Sequence, residues 1–362
     1  MHTGPAPAQG RDIVIGQVAP LSGVLADTGR DMVLGGKIYF DHVNAKGGIN
    51  GRPIRHVVKD DGYEVEKTVA LTQELLDKDK ALALFGYAGT GNVGKLLQER
   101  ILANANVAMV APYTGGESLR QPFNPYIFHL RAGYTDETRV MVNYFLSNAM
   151  SRIAVMYQDD AFGKAGLAGV ESALKERGLQ AVALGAYPKN TDDVAQAVKT
   201  IADANPQAIV IVSVNKSSAA FIKQYRETGK KALMFNISVV NAQELARLIG
   251  SDAARGIGIT QVVPSPFGST LAVVKEYQAL LKQYGPKDAK PSYTSFEEFL
   301  GAKVLVEGIR RSKTLSREGV MRALEGLNYD LGGFTVAYSA TNRVGSSFVD
   351  ITVVGHNGKL IH

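Results

Sequence analysis

Short apolar runs and amphipathic stretches alternate along this chain with few interruptions, and that alternation predicts most of its elements. Residues 12–19 (DIVIGQVA) read as a strand, and 20–29 as a loop carrying Ser22, Gly23, Asp27 and Thr28. A helix over 30–45 is closed by Gly47-Gly48 as a left-handed cap, and 52–59 is the second strand. Asp60-Asp61-Gly62 turns into a helix ending near Lys78, strand 82–85 follows, and helix 92–103 leads to strand 107–110. Such a β-α-β-α-β-α-β order calls for a doubly wound parallel sheet with right-handed crossovers. Two prolines and a short strand at 126–131 break the rhythm within 121–133. It then restarts with strands at 152–157, 181–187, 207–212, 232–235 and 256–261, separated by helices at 162–177, 192–204, 217–228 and 242–249.

The last hundred residues hold three amphipathic helices (269–284, 295–312, 316–327) and two short strands (334–338, 348–354), too little sheet to stand alone. They are expected to complete the two sheets already begun, which makes the chain cross between lobes near Arg131, Val262 and Ser339. The expected architecture is therefore α/β, with two Rossmann-like doubly wound lobes joined by three crossovers. The lobes comprise residues 11–131 plus 263–338 and residues 132–262 plus 339–362, after a tail at 1–10. Three crossings make a hinge with a cleft between the lobes.

Composition changes this picture little. At 362 residues the chain suits two domains, and its 45% hydrophobic and 20% charged residues are those of a globular protein. A net charge of +6 without any five-residue basic run argues against nucleic acid. Absence of Cys excludes disulfides, thiolate metal sites and cysteine nucleophiles, and no apolar stretch reaches the ~20 residues of a membrane span. Ala6-Pro7-Ala8-Gln9 resembles the small-residue end of a signal peptide, which suggests an exported mature chain. The six His are scattered without metal-ligand spacing, so no metal is expected. Asp60-Asp61 and Asp159-Asp160 are adjacent pairs that suit turns better than acid/base work.

Two turns carry the candidate chemistry. ALALFGYAGTGNVGK (81–95) and VAMVAPYTGGESL (107–119) each end an apolar run in glycines and hydroxyls before a helix, at the carboxyl edge where open α/β sheets bind ligands. Gly89, Gly91 and Gly94 spell G-x-G-x-x-G, but after the third strand rather than the first, and no acid ends the next strand. A dinucleotide site fits poorly. Backbone N–H groups around Ala88, Gly89 and Thr90, the Thr90 hydroxyl, and a second rim from Tyr113 and Thr114 would instead hold a carboxylate at a helix amino terminus. The same hydroxyls would also serve as plain helix caps.

These stretches, with IVIGQVAPLSGVLADTGRDMVLGGKIYFDHVNAKGGINGRPIRHVVKDDG, RIAVMYQDDAFGKAG and PSYTSFEEFLGAKVLVEGIRRS, make the chain resemble a type I periplasmic solute-binding protein of ABC transporters, of the leucine/isoleucine/valine-binding class. The resemblance covers essentially everything after Gly10. It implies a monomeric periplasmic receptor without catalysis or cofactor, which closes on a small carboxylate and docks on membrane permease subunits. Position by position, the carboxylate-holding turns resemble Tyr87, Ala88, Gly89 and Thr90 with Tyr113 and Thr114. The second-lobe aromatic over the ligand resembles Phe162, after Asp160. Thr28, Asn215, Ser238 and Val239 match other cleft positions, and Phe296 or Glu297 matches less well.

In one respect the chain departs from the class. The acid that usually accepts a ligand ammonium is replaced by Ser238-Val239-Val240-Asn241, leaving Asp160 or Glu297 as substitutes. Branched-chain or other amino acids thus stay narrowly ahead of carboxylates without an amine, aromatic acids included. A cytoplasmic amide- or amino-acid-sensing regulator of the same fold and an NAD-dependent enzyme are the alternatives.

Overall fold

The computed structural model describes residues 12–268 and 270–361. The tail at 1–10, the stretch Ala6–Gln9, and Ser269 at the expected start of a helix lie outside the described residues.

In the first half, β1 (Ile13–Ala19), α1 (Ala26–Ala45), β2 (Ile54–Asp60), α2 (Val65–Asp77) and β3 (Ala83–Phe85) follow in turn. They continue through α3 (Thr90–Gln98), α4 (Ile101–Ala105), β4 (Met109–Val110) and β5 (Ile127–Phe128). The strands form a parallel sheet in the order β2-β1-β3-β4-β5. All seven residues of β1 are buried, as befits a central strand covered by helices on both faces.

The second half runs α5 (Tyr134–Ser147), β6 (Ile153–Gln158), α6 (Ala161–Lys175), β7 (Ala183–Tyr187), α7 (Ala195–Ala204) and β8 (Ala208–Val212). Next come α8 (Asn215–Glu227), β9 (Leu233–Asn236), α9 (Ala242–Ile249), α10 (Ser251–Ala254) and β10 (Gly258–Gln261). The chain then returns to the first sheet through α11 (Ala272–Tyr284), α12 (Tyr293–Arg311) and α13 (Arg317–Glu325), followed by β11 (Asn328–Asp330) and β12 (Thr335–Ala337). It ends on β13 (Asp350–Val354) and β14 (Leu360–Ile361). The second sheet has the order β14-β13-β10-β9-β8-β6-β7, parallel except where β13 and β14 add on antiparallel.

One expectation needs correcting. Strand 334–338 does not complete the first sheet; its core, β12, pairs antiparallel with β11 in a separate two-stranded ribbon. Residues 328–330, unassigned from sequence, gave β12 a nearer partner than the sheet edge.

Helix α12 is almost wholly buried, its charged Glu297, Glu298 and Lys303 included, as in an interior helix. It lies on α1, where a Cβ at Gly35 would sit 2.1 Å from the Ser295 carbonyl oxygen, so only glycine permits this approach. Its Phe296 and Phe299 join Tyr39, Phe40 and Phe85 in the core of the first lobe. At the first crossing the chain passes His129, whose backbone N–H donates to the Arg343 carbonyl at 2.8 Å and whose carbonyl accepts from Gly345 N–H at 2.8 Å. The first and third crossings thus run side by side as a hydrogen-bonded hinge.

Candidate functional site

The two glycine turns form one rim. Beyond the ends of β3 and β4 the ladder extends by a single parallel bridge, Ala88 to Tyr113, in which the Tyr113 N–H donates to the Tyr87 carbonyl at 2.7 Å. Gly89, at φ 95°, then turns the chain into α3, and a Cβ on Gly116 would fall 2.4 Å from Thr90 Cγ2. Those conformations bring the two hydroxyls together: Thr90 Oγ1 and Thr114 Oγ1 are 2.7 Å apart and buried. The Gly116 N–H also donates to Thr114 Oγ1, at 3.2 Å. Neither hydroxyl caps the amino terminus of α3, whose cap residue is Gly89, so the simple capping alternative does not describe this turn. The first N–H groups of α3 have no acceptor within the helix.

Across the cleft the second lobe supplies the opposite wall. Asp160 caps α6 by accepting from the N–H groups of Phe162 and Gly163 at 3.0 and 3.1 Å, which fixes Phe162 at the first turn. The Phe162 ring meets Tyr134 nearly edge-on, centroids 5.5 Å apart. Leu25, Tyr63, Ala88, Gly89, Tyr113, Tyr134, Phe162, Val214 and Val239 line a cavity of about 10 Å³ between the lobes. Ligand pockets usually run to roughly 300 Å³ or more, so the space left between the lobes here is too small to hold a ligand.

Several contacts hold it shut. Asn215 Nδ2 donates across the cleft to Thr28 Oγ1 at 3.2 Å, while within the second lobe its Oδ1 accepts from Asn241 N–H at 2.8 Å. Lys189 of the second lobe reaches over the Tyr63 ring, 4.0 Å from its centroid, and donates to Asn92 Oδ1 at 3.0 Å. Gln158 Nε2 donates to the Tyr63 hydroxyl at 3.4 Å, and Arg247 lies 3.5 Å from Asp27. Outside the Thr28–Asn215 link is a polar pocket of about 440 Å³ whose acids are Asp27, Asp31, Glu244 and Asp288.

At the base of the cleft lies a charged cluster. Arg131, fully buried, pairs with Glu297 (Nε to Oε1 3.0 Å, Nη2 to Oε2 3.2 Å), donates to Ser238 Oγ at 2.6 Å and covers the Tyr113 ring at 4.7 Å. Burial pushes the Glu297 carboxyl up to about 7, against the pull of Arg131. Glu137 accepts from Ser238 N–H at 2.8 Å, Ser238 Oγ at 2.9 Å and Thr260 Oγ1 at 2.5 Å. Tyr113 hydroxyl and Thr294 Oγ1 are 2.9 Å apart, tying the rim to α12.

Of the residues expected at the site, Ala88, Gly89, Tyr113, Phe162 and Val239 line the inner cavity. Thr90 and Thr114 stand behind them as the hydroxyl pair, and Thr28 and Asn215 bridge the lobes. Tyr87 and Phe296 are not brought to it. The Tyr87 hydroxyl meets Thr72 Oγ1 at 3.2 Å, inside a core cluster with Leu75 and Val93, because alternation along an extended segment turns its side chain away from that of Ala88. Phe296 packs on Tyr277 and Phe299, about 100° around α12 from Glu297. Ser238, Glu297 and Asp160 belong to structural networks rather than to the cavity wall. Sequence reasoning missed Leu25, Tyr63, Tyr134, Lys189 and Arg131. Tyr63 was within reach of the same rule, since it follows β2 at the carboxyl edge that marked the other turns.

A family model described as periplasmic binding protein matches residues 12–359. The Leu/Ile/Val-binding protein homolog 7 of Brucella abortus is 26% identical over 351 residues, covering 93% of this chain and 86% of that protein. Among solved structures, a substrate-binding periplasmic protein from Ralstonia solanacearum superposes with a TM-score of 0.92 at 38% identity, over 97% of this chain and 99% of that one. A possible leucine/isoleucine/valine-binding protein from Rhodopirellula baltica gives a TM-score of 0.93 at 26% identity, covering 99% and 98%. With two Rossmann-like lobes, a hydrogen-bonded hinge and this match over nearly its whole length, the chain belongs to the periplasmic binding protein family.

Proposed function

We propose that the chain is an extracytoplasmic receptor that captures a small carboxylate between its lobes and delivers it to the membrane permease of an ABC importer, without catalysing a reaction. The observation that carries this reading is the rim itself. Two βα turns, locked by the Ala88–Tyr113 bridge, place a hydroxyl pair 2.7 Å apart beside the amino terminus of a nine-residue helix, behind the Ala88, Gly89 and Tyr113 wall of an interlobe cavity. Uncharged donors at a helix start suit a carboxylate, and closure dries the site and strengthens their hydrogen bonds. The names of the Brucella and Rhodopirellula relatives point to branched-chain amino acids as one ligand class, and organic acids fit the same rim. Among the described residues no helix is long and apolar enough to cross a membrane, and no group of three or more His, Asp or Glu is placed to hold a metal.

A thermal-shift screen of amino acids, aromatic and aliphatic acids and nucleotides tests the reading. A carboxylate at 100 times its dissociation constant should stabilise the protein by about 2.7 kcal/mol. Stabilisation by NAD with no response to any carboxylate would overturn it.

A further inference from the structure

Resting on the receptor reading, we infer that the cleft selects a monocarboxylate with an apolar, ring-bearing body and no α-ammonium group. An α-amino acid held by its carboxylate at the Thr90–Thr114 rim must place its ammonium beside that rim, two bonds away, once the lobes close. A buried ammonium has three N–H donors and a full charge, so it needs a nearby carboxylate or a complete set of oxygens. None of the nine residues around the inner cavity is charged.

Four acids in the surrounding shell already have partners. Asp160 is held by the N–H groups of Phe162 and Gly163 and by Gln158 Nε2 at 2.9 Å, with Lys189 3.7 Å away. Glu297 is paired with Arg131, and Glu137 accepts three hydrogen bonds from Ser238 and Thr260. Asp61 accepts from Tyr63 N–H at 2.9 Å and Thr68 Oγ1 at 2.5 Å. Glu298, buried on α12 with both oxygens unpartnered, packs by the Gly86 backbone and Gln17 and lines neither pocket. Burial drives its carboxyl well above the usual range. The acids of the outer pocket stand beyond the Thr28–Asn215 link. Withdrawing Glu297 or Asp160 to serve an ammonium would strand a buried cation or a helix start, and withdrawing Glu137 or Asp61 would leave buried N–H and hydroxyl donors unpaired.

The body of the ligand is set by the walls. Four rings, Tyr63, Tyr113, Tyr134 and Phe162, surround the cavity together with Leu25, Val214 and Val239. Phe162 and Tyr134 already meet edge-to-face, the arrangement into which a further ring inserts with offset or perpendicular contacts.

Isothermal titration of the purified chain with two matched pairs tests the inference: 3-phenylpropanoate against phenylalanine, and 4-methylpentanoate against leucine. Each deaminated acid should bind at least about 100-fold more tightly than its amino acid. The aryl acid should bind more tightly than the alkyl one. Tighter or equal binding of the amino acid in both pairs overturns the exclusion of the ammonium, and a preference for the alkyl acid overturns the ring. If none of the four binds and NAD alone stabilises the protein, the receptor reading fails and this inference with it. Val239→Glu adds a carboxylate to the wall, and should shift the phenylalanine to phenylpropanoate ratio at least tenfold toward the amino acid. An unchanged ratio in a folded variant would count against the assignment, and the wild-type titrations decide it even if the variant does not fold.

Discussion

At the scale of single residues, the Thr90–Thr114 pair and Arg131 make separable predictions. Changing either threonine to Ala removes a donor from the rim and should weaken carboxylate binding by about 1–3 kcal/mol, read by titration calorimetry. Because the two hydroxyls also bond each other, the loss in the double variant should be smaller than the sum of the two single losses. Arg131→Met leaves Glu297 buried without its cation and should cost about 3–5 kcal/mol in denaturant unfolding, whereas Arg131→Met with Glu297→Leu should recover most of that loss. His129 reports on pH. It is buried beside Arg120 and Arg131, and burial holds its pKa well below the ordinary 6.5. The unfolded chain therefore takes up this proton first as pH falls, so the stability it contributes is complete above about 6.5 and is lost progressively below. Unfolding curves of His129→Gln and the parent should diverge less at pH 5 than at pH 7.5.

At the scale of elements, α6 and α1 show what a sequence does and does not disclose. Asp160 begins α6 as a side-chain cap, and Asp160→Ala should cost about 1 kcal/mol of stability by thermal or chemical unfolding while Asp160→Asn retains most of it. The alternation of apolar runs made nearly every helix and central strand readable, because burial on both faces of a parallel sheet leaves a run without polar interruption. The start of α1 was not readable. Gly23 and Gly29 make 20–29 look like a loop, yet Gly29 is helical and is glycine because a Cβ there would lie 1.9 Å from the Pro20 carbonyl oxygen. Helix 92–103 is likewise two helices, separated at Arg100 with φ 56°. The rim turns were legible from glycines and hydroxyls. Which way Tyr87 and Phe296 point was not, since one residue of register decides whether a side chain enters the cleft or the core. The cation over Tyr63 comes from Lys189, 126 positions away, and no local pattern announces such a pair.

On the scale of the whole molecule, the two parallel sheets and the crossings between them follow from where the alternation breaks and restarts, and that was visible in the sequence, whereas the order of strands within each sheet was not. The cross-lobe contacts were not, because they depend on how two separately folded lobes face each other. Lys189 contributes two of them, and Lys189→Met should lower the population of closed molecules, read as a larger radius of gyration by small-angle scattering.

The contacts that close the lobes have a kinetic consequence. A ligand held between the closed lobes would leave only when Thr28 parts from Asn215 and Lys189 from Asn92. Residence time would then be governed in part by that clasp. Loosening that clasp should quicken release across chemically different ligands by a common factor, and any surface that docks on the open lobes discharges the receptor without competing for its rim.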